Sequence, residues 1–288
     1  MRKLFAFLFL GLLSCSPKQG LQNIIADSWA VIYGPDTRQE VALDESTAAP
    51  ATAMIFSLDD LVLSKNGKEY ALKSIPLGQQ YPLCEDEKFL DQQTLGHCSG
   101  VLIAANKVLT ASHCLRASDS CAEAFFIFGW NLDKAQKGSF QAAEVFKCKA
   151  ILAQSLNPKK GIDYAIVELD RPVTGVTPVQ IASTKNLKDG DAVVSYSYPM
   201  GLPLKRDIGK ILEVNSASGF LKAAVDTFKG SSGSPLFNAQ GQLVGILSSG
   251  MDDFLEDDIH RVQSEGGCIN FNHCKTATCF GESYFKVH

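Results

Sequence analysis

The segment Lys229-Gly230-Ser231-Ser232-Gly233-Ser234-Pro235 separates two patterned apolar runs, which cover residues 222–228 and 236–247. A Gly/Ser-rich segment between two strand-like runs predicts a tight loop. Its two glycines can adopt backbone conformations closed to residues with a Cβ atom, so that successive N–H groups can converge beside the Ser232 hydroxyl. A serine next to converging donors suits acyl transfer, although Gly/Ser turns without any catalytic role are also common.

Two upstream segments supply the partners that a nucleophilic serine needs. Leu109-Thr110-Ala111-Ser112-His113-Cys114 places a histidine at the end of an apolar run, and Gly161-Ile162-Asp163 places an aspartate before another. Together with Ser232 they stand in the order His, Asp, Ser. The α/β-hydrolases have the order Ser, Asp/Glu, His and a G-x-S-x-G motif, which does not occur around Ser232, so that fold is disfavoured.

These segments resemble those of trypsin-like serine endopeptidases, and within them the bacterial V8-like, or glutamyl endopeptidase, branch. Cys98-Ser99-Gly100 and residues 110–114 resemble the histidine segment, and Asp163-Tyr164-Ala165 resembles the aspartate segment. Residues 230–235 resemble the G-x-S-G-S-P serine loop, and residues 33–41 resemble a G-x-D-x-R segment near the start of mature chains. The matching segments span most of residues 30–250.

The resemblance implies a role for each site residue. Ser232 would be the nucleophile, His113 the general base and acid, and Asp163 the group that orients the histidine. The backbone N–H groups of Gly230 and Ser232 would form the oxyanion hole. A Cys98–Cys114 disulfide would hold the histidine loop. His97 is a rival base by residue type, but its flanking residues do not match the family.

Specificity is the point at which the chain departs from the V8-like pattern. Leu247 stands where enzymes that cleave after glutamate carry a histidine, so a glutamate preference is not expected. Asp226 lies six residues before Ser232, the offset of the pocket-floor aspartate in trypsin, and residues 252–258 add five carboxylates. These acidic groups favour a basic P1 side chain, the one preceding the scissile bond. The alternative is a solvated acidic loop and an outward-facing Asp226.

The chain also contains a segment suited to hold the substrate backbone. Ser248, Ser249 and Gly250 would pair with the substrate main chain as an added strand.

Short strand-like runs separated by turns, with little helical periodicity, predict an all-β protein. The resemblance refines this prediction to two six-stranded antiparallel β-barrels, with the active site in the cleft between them. We expect the first barrel, with the histidine and aspartate, over residues 51–172 and the second, with the serine, over 173–265. Residues 266–288 are predicted to be a Cys-rich C-terminal tail.

The first residues are typical of an export signal. Arg2 and Lys3 precede the apolar run Leu4–Leu13, which predicts a signal peptide over residues 1–14. Leu12-Leu13-Ser14-Cys15 resembles a bacterial lipobox, in which Cys15 becomes the lipid-modified first residue; the alternative is an ordinary signal peptide. Residues 15–50 are predicted to be a tether or a prosegment. We therefore expect an exported protein of the bacterial cell envelope, either an outer-membrane lipoprotein or a periplasmic or cell-surface protein.

The cysteine count agrees with export. Besides Cys15 the chain has eight cysteines, an even number, which in an exported chain predicts disulfides. Cys121 and Cys148 are one candidate pair, since each lies at the outer end of a strand-like run. Metal binding by Cys268, Cys274 and Cys279 with His273 is an alternative that export disfavours.

Composition limits the partners. A net charge of −4 without a basic tract gives no reason to expect nucleic acid, and the sequence predicts no cofactor. We expect a monomer that acts on a protein or peptide and contacts the membrane through its N-terminal lipid. The sequence thus predicts a lipid-anchored serine endopeptidase. Alternatives are a catalytically silent binding module with the same fold and a narrow-specificity esterase with the same triad.

Overall fold

The computed structural model describes residues 31–115, 120–215, 217–274 and 279–287. The predicted signal peptide and Cys15 lie outside these residues. Within them, no helix is both long and apolar enough to cross a membrane.

Strands account for most of the regular structure. They are β1 (Gln39–Glu40), β2 (Thr52–Phe56), β3 (Leu61–Leu63), β4 (Glu69–Leu72), β5 (Ile75–Pro76), β6 (Gln93–Thr94), β7 (Cys98–Ala104), β8 (Lys107–Thr110), β9 (Phe125–Phe128), β10 (Ser139–Gln141), β11 (Phe146–Asn157), β12 (Ile162–Leu169), β13 (Ala192–Ser197), β14 (Lys205–Val214), β15 (Phe220–Ala224), β16 (Pro235–Asn238), β17 (Leu243–Ser249) and β18 (Glu282–Lys286).

The helices are short. They are α1 (Ala48–Ala51), α2 (Leu77–Gln80), α3 (Ser120–Glu123), α4 (Leu132–Ala135) and α5 (Glu256–Glu265). Single 3₁₀ turns cover Leu58–Asp60, Ser112–Leu115, Ala142–Glu144, Pro158–Lys160, Thr184–Asn186 and Pro199–Gly201.

The first barrel is a closed ring of six strands in the order β11-β12-β8-β7-β2-β9. Side chains in β12 alternate between half-buried and buried along the whole strand, as a strand with one face towards a core requires. Asp163, Ala165, Val167 and Leu169 are on the buried face. The same alternation that packs the barrel therefore turns Asp163 inward.

The second barrel contains β13 to β18. Strands β14-β13-β16-β17-β18-β15 pair in sequence, and an additional β14–β15 pairing closes the ring. Within each of the two barrels, neighbouring strands pair antiparallel. The predicted fold class, two six-stranded antiparallel barrels, is confirmed.

Two predicted boundaries need correction. The residues assigned to a C-terminal tail include β18, which pairs with both β15 and β17 and completes the second barrel. Tyr284 in β18 is fully buried, which explains why this segment cannot be a separate tail. Residues 31–50 are likewise packed against the domain rather than forming a tether. Val31 and Ile32 are buried, and β1 extends the second sheet by pairing with β14.

An insertion between β2 and β7 carries β3 to β6 and α2. Its strands form a three-stranded sheet with β10 and a small β5–β6 pair. A disulfide joins Cys84 in this insertion to Cys268, which follows α5 in the second half of the chain. The insertion is therefore covalently tied to the loop that follows β17.

Candidate active site

Strand pairing brings His113 to Asp163. Thr110, the last residue of β8, pairs with Ala165 of β12, and the 3₁₀ turn Ser112–Leu115 follows directly. His113 Nδ1 lies 2.7 Å from Asp163 Oδ2, and the His113 backbone N–H donates to Asp163 Oδ1 at 3.2 Å. The carboxylate therefore fixes both the imidazole ring and the main chain of the histidine turn.

Asp163 has a third donor. The Ser248 hydroxyl, at the end of β17 in the second barrel, donates to Asp163 Oδ2 at 2.8 Å. Burial alone would raise the pKa of Asp163, but the hydrogen bonds from His113 and Ser248 and the nearby imidazole hold that pKa below its ordinary value. The group is an ionised carboxylate at neutral pH, which suits it to stabilise an imidazolium.

The serine loop needs glycine at position 230. Gly230 has φ +92°, and a Cβ built there would lie 2.6 Å from the Tyr198 carbonyl oxygen and 3.0 Å from the Gly201 nitrogen. Both neighbours are backbone atoms that cannot move aside independently. A side chain at this position would push the loop away from the 3₁₀ turn Pro199–Gly201.

Hydrogen bonding leaves two N–H groups of the loop for an oxyanion. Ser231 N donates to Phe228 O, Gly233 N to Leu247 O and Ser234 N to Ser231 O. Within the described residues, the N–H groups of Gly230 and Ser232 donate to no protein acceptor. The Lys229 carbonyl accepts from Met200 N at 2.6 Å. Since C=O and N–H of a trans peptide point in opposite directions, this bond turns the Gly230 N–H the other way.

Ser99 of the first barrel holds the serine loop at the seam between the barrels. Ser99 N donates to the Ser232 carbonyl at 2.7 Å, and the Ser99 hydroxyl donates to the Gly230 carbonyl at 2.9 Å. Cys114, next to His113, has its Sγ 3.7 Å from the same Ser232 carbonyl. In the described residues no hydrogen bond joins Ser232 Oγ to His113, a contact that in free enzymes often tightens only when substrate binds.

A cavity of about 260 Å³ adjoins Ser232. Its wall contains Thr227, Phe228, Lys229, Ser232, Leu247, Gly250, Met251, Asp252 and Asp253. The Asp253 carboxylate accepts from Lys229 N at 3.2 Å with each oxygen. Burial raises the pKa of Asp253 to about 6, so the carboxylate is ionised at pH 7 and above. Two of the five carboxylates predicted near the pocket, Asp252 and Asp253, thus line it.

Asp226 lies elsewhere, which corrects the prediction that it forms the pocket floor. Its Oδ1 accepts from Tyr33 N at 2.8 Å and its Oδ2 from Thr37 N at 3.1 Å, so both oxygens bind the backbone of the N-terminal segment. Burial, and then the neighbouring Asp207 carboxylate, raise the pKa of Asp226 to about 6. The offset of six residues from Ser232 could not reveal that residues 33–37 occupy this carboxylate.

The other predicted substrate-binding residues lie beside the serine. Ser249 is exposed and Gly250 lines the cavity, but the Ser248 side chain is buried and is committed to Asp163. No sequence signal marks this role of Ser248 or that of Ser99, because a serine carries no local indication of the acceptor it will bind. The exposed His97 makes no hydrogen bond to Asp163 or Ser232 in the part of the chain described.

Eight cysteines form four disulfides, namely Cys84–Cys268, Cys98–Cys114, Cys121–Cys148 and Cys274–Cys279. The alternative of a metal site at Cys268, Cys274 and Cys279 is wrong, because all three sulfur atoms are in disulfides and offer no thiolate. Cys98, His113 and Cys114 also lie close together, but the sulfur atoms of this group are bonded to each other.

Comparison with known proteins agrees with this geometry. The model of the trypsin-like peptidase domain matches residues 98–246, more than half of the chain, and includes His113, Asp163 and Ser232. The chain belongs to the trypsin-like peptidase family. Exfoliative toxin A of Staphylococcus aureus is 29% identical to this peptidase domain over 180 residues, which are 60% of the chain and 62% of the toxin. The chain thus spans less than two thirds of that relative.

Solved structures show the same fold. The match to a Glu endopeptidase structure covers 86% of this chain and 95% of the endopeptidase chain, with a TM-score of 0.51 and 20% identity. The match to the VesB protease of Vibrio cholerae covers 87% of this chain and 64% of the VesB chain, with a TM-score of 0.53 and 16% identity. At these identities the likeness extends to the fold of this peptidase domain and not to its specificity.

Proposed function

We propose that the protein is an exported serine endopeptidase that hydrolyses peptide bonds through Ser232, His113 and Asp163. The observation that carries this proposal is the arrangement of Asp163, His113 and the serine loop where the two barrels meet. An ionised, buried Asp163 holds His113 at 2.7 Å, and two free N–H groups lie on the serine loop. Membership of the trypsin-like peptidase family supports the same assignment.

The chemistry follows from these positions. Ser232 Oγ attacks the scissile carbonyl carbon while His113 Nε2 takes the hydroxyl proton, and the oxyanion is bound by the N–H groups of Gly230 and Ser232. His113 then gives the proton to the leaving amine, which leaves an acyl-enzyme. A water molecule, deprotonated by His113, attacks the acyl carbon, and the proton returns to Ser232 as the carboxylic acid product leaves.

A basic P1 side chain suits the cavity beside Ser232. Asp252, which is exposed, and Asp253, which is half-buried, both line it, and their negative charges attract a cation. Ser248 and Ser249 end β17, where Ser249 pairs with Ser283 of β18, and together with Gly250 they would hold the substrate backbone as an added strand. Leu247 offers no cation to a glutamate side chain, and Lys229 is the one basic residue among those that line the cavity.

The membrane attachment is proposed from the sequence. Lipid on Cys15 would anchor the chain to the membrane. Four disulfides are typical of an exported protein. Replacement of Cys15 by alanine should move the protein from the membrane fraction to the soluble fraction. Unchanged fractionation would remove the anchor from this proposal.

The direct test is labelling with a fluorophosphonate, which reacts only with an activated serine. The wild-type chain should be labelled on Ser232, and the His113→Ala variant should not. A folded chain with intact disulfides that takes no label would favour a binding module. Labelled protein that cleaves p-nitrophenyl esters but no peptide of a diverse library would favour the esterase.

A further inference from the structure

A buried ion pair lies in the segment that carries the G-x-D-x-R pattern, whose first residue is Gly34. Arg38, immediately before β1, is only 2% exposed. Its Nε donates to Asp36 Oδ1 at 3.0 Å and its Nη2 to Asp36 Oδ2 at 2.6 Å. Burial alone would raise the pKa of Asp36, but the hydrogen bonds and the charge of Arg38 hold that pKa below its ordinary value. The acidic and basic residues of the pattern thus form a charged, two-pronged pair.

The guanidinium of this pair lies against aromatic rings. Arg38 Cζ is 4.0 Å from the ring centroid of Phe228, and the rings of Phe89 and Phe271 are 5.2 Å and 5.4 Å away. A cation over an aromatic face is attracted to the ring, and more strongly so when both groups are out of water. Phe228 is itself only 4% exposed. The charge of Arg38 therefore acts on a buried ring.

Fold stability alone does not explain an arginine at this position. In the described part of the chain, Arg38 Nη1 is buried and has no hydrogen-bond partner. A buried N–H without an acceptor is costly, and apolar residues that replace a buried ion pair often leave stability unchanged or increase it. The residue must be explained by what its guanidinium holds in place.

Phe228 begins the turn that contains Gly230. Ser231 N donates to Phe228 O at 2.8 Å, and Phe228 N donates to the Ser231 hydroxyl at 3.3 Å. These two bonds close residues 228–231 into one unit. The N–H of Gly230, inside this unit, is one of the two donors proposed for the oxyanion. A shift of the Phe228 ring would therefore move an oxyanion donor.

The N-terminal segment also holds the chain two residues before this turn. Asp226 Oδ1 accepts from Tyr33 N at 2.8 Å, and its Oδ2 accepts from Thr37 N at 3.1 Å. Thr37 adjoins Arg38, so consecutive residues of the segment bind Asp226 and stack on Phe228. The path of the chain into the serine loop is thus fixed at two points by residues 33–38.

We propose that Arg38 is a positioning residue for catalysis: through Phe228 it holds the turn 228–231 in the conformation that presents the Gly230 N–H to the oxyanion. Asp36 orients the guanidinium through its two hydrogen bonds. This inference rests on the proposed peptidase activity, because the role it assigns belongs to the proposed oxyanion hole. The competing explanation is an ion pair that stabilises the fold without any effect on the site.

The first experiment measures hydrolysis of p-nitrophenyl acetate by the purified full chain and its variants, at a temperature at which all are folded. Arg38→Met keeps an unbranched side chain and removes the guanidinium. Its kcat should fall on the order of 30-fold, less than the 100-fold or more expected for outright loss of one oxyanion donor. Arg38→Lys keeps the charge but lacks the planar, two-pronged group, so it should recover little of this activity.

Arg171 offers a matched control in the first barrel. It also stacks on a phenylalanine, with its Cζ 4.2 Å from the ring centroid of Phe146, and it also pairs with an aspartate, Asp170. Arg171→Met should keep the wild-type kcat. An equal fall of kcat in Arg38→Met and Arg171→Met would show a general effect of losing such a pair and would overturn the proposal.

A double-mutant cycle tests whether Arg38 acts through Phe228. Substitutions that act through the same contact are not additive. In a Phe228→Leu background, Arg38→Met should therefore lower kcat by no more than about 3-fold, against the loss on the order of 30-fold in the wild type. If the two losses multiply in full, Arg38 does not act through this ring.

Hydrogen exchange tests the same positioning without any turnover. The Ser231 amide, whose bond to Phe228 O closes the turn, should exchange on the order of 10-fold faster in Arg38→Met and at the wild-type rate in Arg171→Met. Faster exchange spread evenly over the whole chain would reduce Arg38 to a stabilising role and would overturn the proposal.

The outcomes separate this inference from the proposed function. A wild-type chain that hydrolyses no ester but shows the local change at Ser231 refutes the hydrolase activity and keeps the positioning of the turn. An active wild type, together with a folded Arg38→Met of unchanged kcat, keeps the activity and refutes the role of Arg38. If Arg38→Met does not fold, Asp36→Asn takes its place. A lower kcat with faster exchange at Ser231 in that variant supports the proposal, and wild-type values of both overturn it.

Discussion

The hydrogen bond from Ser248 to Asp163 joins the second barrel to the His113–Asp163 pair of the first, and its removal tests the proposed mechanism. Ser248→Ala deletes one of three donors to this carboxylate. A hydrogen bond to a charged group contributes about 1.5–3 kcal/mol. Part of that energy supports Asp163 as it stabilises the imidazolium in the transition state, so we expect kcat to fall about 10-fold, which corresponds to about 1.4 kcal/mol.

The same change should alter stability in a pH-dependent way. The pKa of Asp163 is lowered in the folded protein, so its contribution to stability is present above the unfolded pKa of about 3.9 and is lost as the pH falls through the folded value. Ser248→Ala moves the folded pKa up towards the ordinary value. The variant should therefore be less stable than wild type by about 1.5–3 kcal/mol at pH 7, and by less at pH 3.

The assay pairs ester hydrolysis with urea unfolding at pH 7 and pH 3. Ser248→Thr retains a hydroxyl and should restore most of the activity, while Ser249→Ala, at the exposed neighbouring residue, is the matched control. An unchanged kcat in Ser248→Ala would falsify the claim that this hydroxyl supports the catalytic carboxylate. Equal losses in the Ser248 and Ser249 variants would attribute the effect to strand β17 in general.

Two other substitutions have outcomes that the structure fixes. Gly230→Ala would place a Cβ 2.6 Å from the Tyr198 carbonyl oxygen and displace one proposed oxyanion donor, so kcat should fall on the order of 100-fold or more. The control is Gly241→Ala, at a residue that also has a positive φ, +73°, but has open space around it, and this variant should keep its kcat. Equal activity of the two alanine variants in ester hydrolysis would contradict the proposed oxyanion hole. Burial and the Asp207 carboxylate raise the pKa of Asp226 to about 6 in the folded protein. The free energy of unfolding should therefore fall as the pH rises from about 4 to 6, by about 3 kcal/mol at 1.36 kcal/mol per pKa unit. Urea unfolding of Asp226→Asn should show no such fall in the free energy of unfolding between pH 4 and pH 7. If the variant and the wild type lose the same free energy between these pH values, Asp226 does not titrate as described.

The sequence predicted the barrels and singled out His113, Asp163 and Ser232 because both leave local marks. Strand-like runs, a histidine after an apolar run and a Gly/Ser loop can be recognised within a few residues of each other. The 2.7 Å contact of His113 with Asp163 then follows from the pairing of β8 with β12.

The surroundings of the acidic side chains left no such mark, because they depend on which parts of the chain pack against each carboxylate. Asp226 and Glu282 are both buried carboxylates, but the first binds the backbone of residues 33–37 and the second lies behind Gly250. This difference comes from the packing of the N-terminal segment and of β18, two parts of the chain that were predicted to lie outside the domain. Residues 282–286 do not alternate between apolar and polar side chains, although their burial alternates, with Glu282, Tyr284 and Lys286 on the buried face.

Closure of the second barrel by β18 has a consequence for the cell that makes this protein. Strands β15 and β17 both pair with β18. Among the strands of the described residues, β18 is the last to be synthesised. The second barrel, including the partner strand of β17 that leads to Gly250 in the cavity wall, is thus complete only after residue 286 has been synthesised. A chain that ends before residue 282 would carry His113, Asp163 and Ser232 and still have an open second barrel.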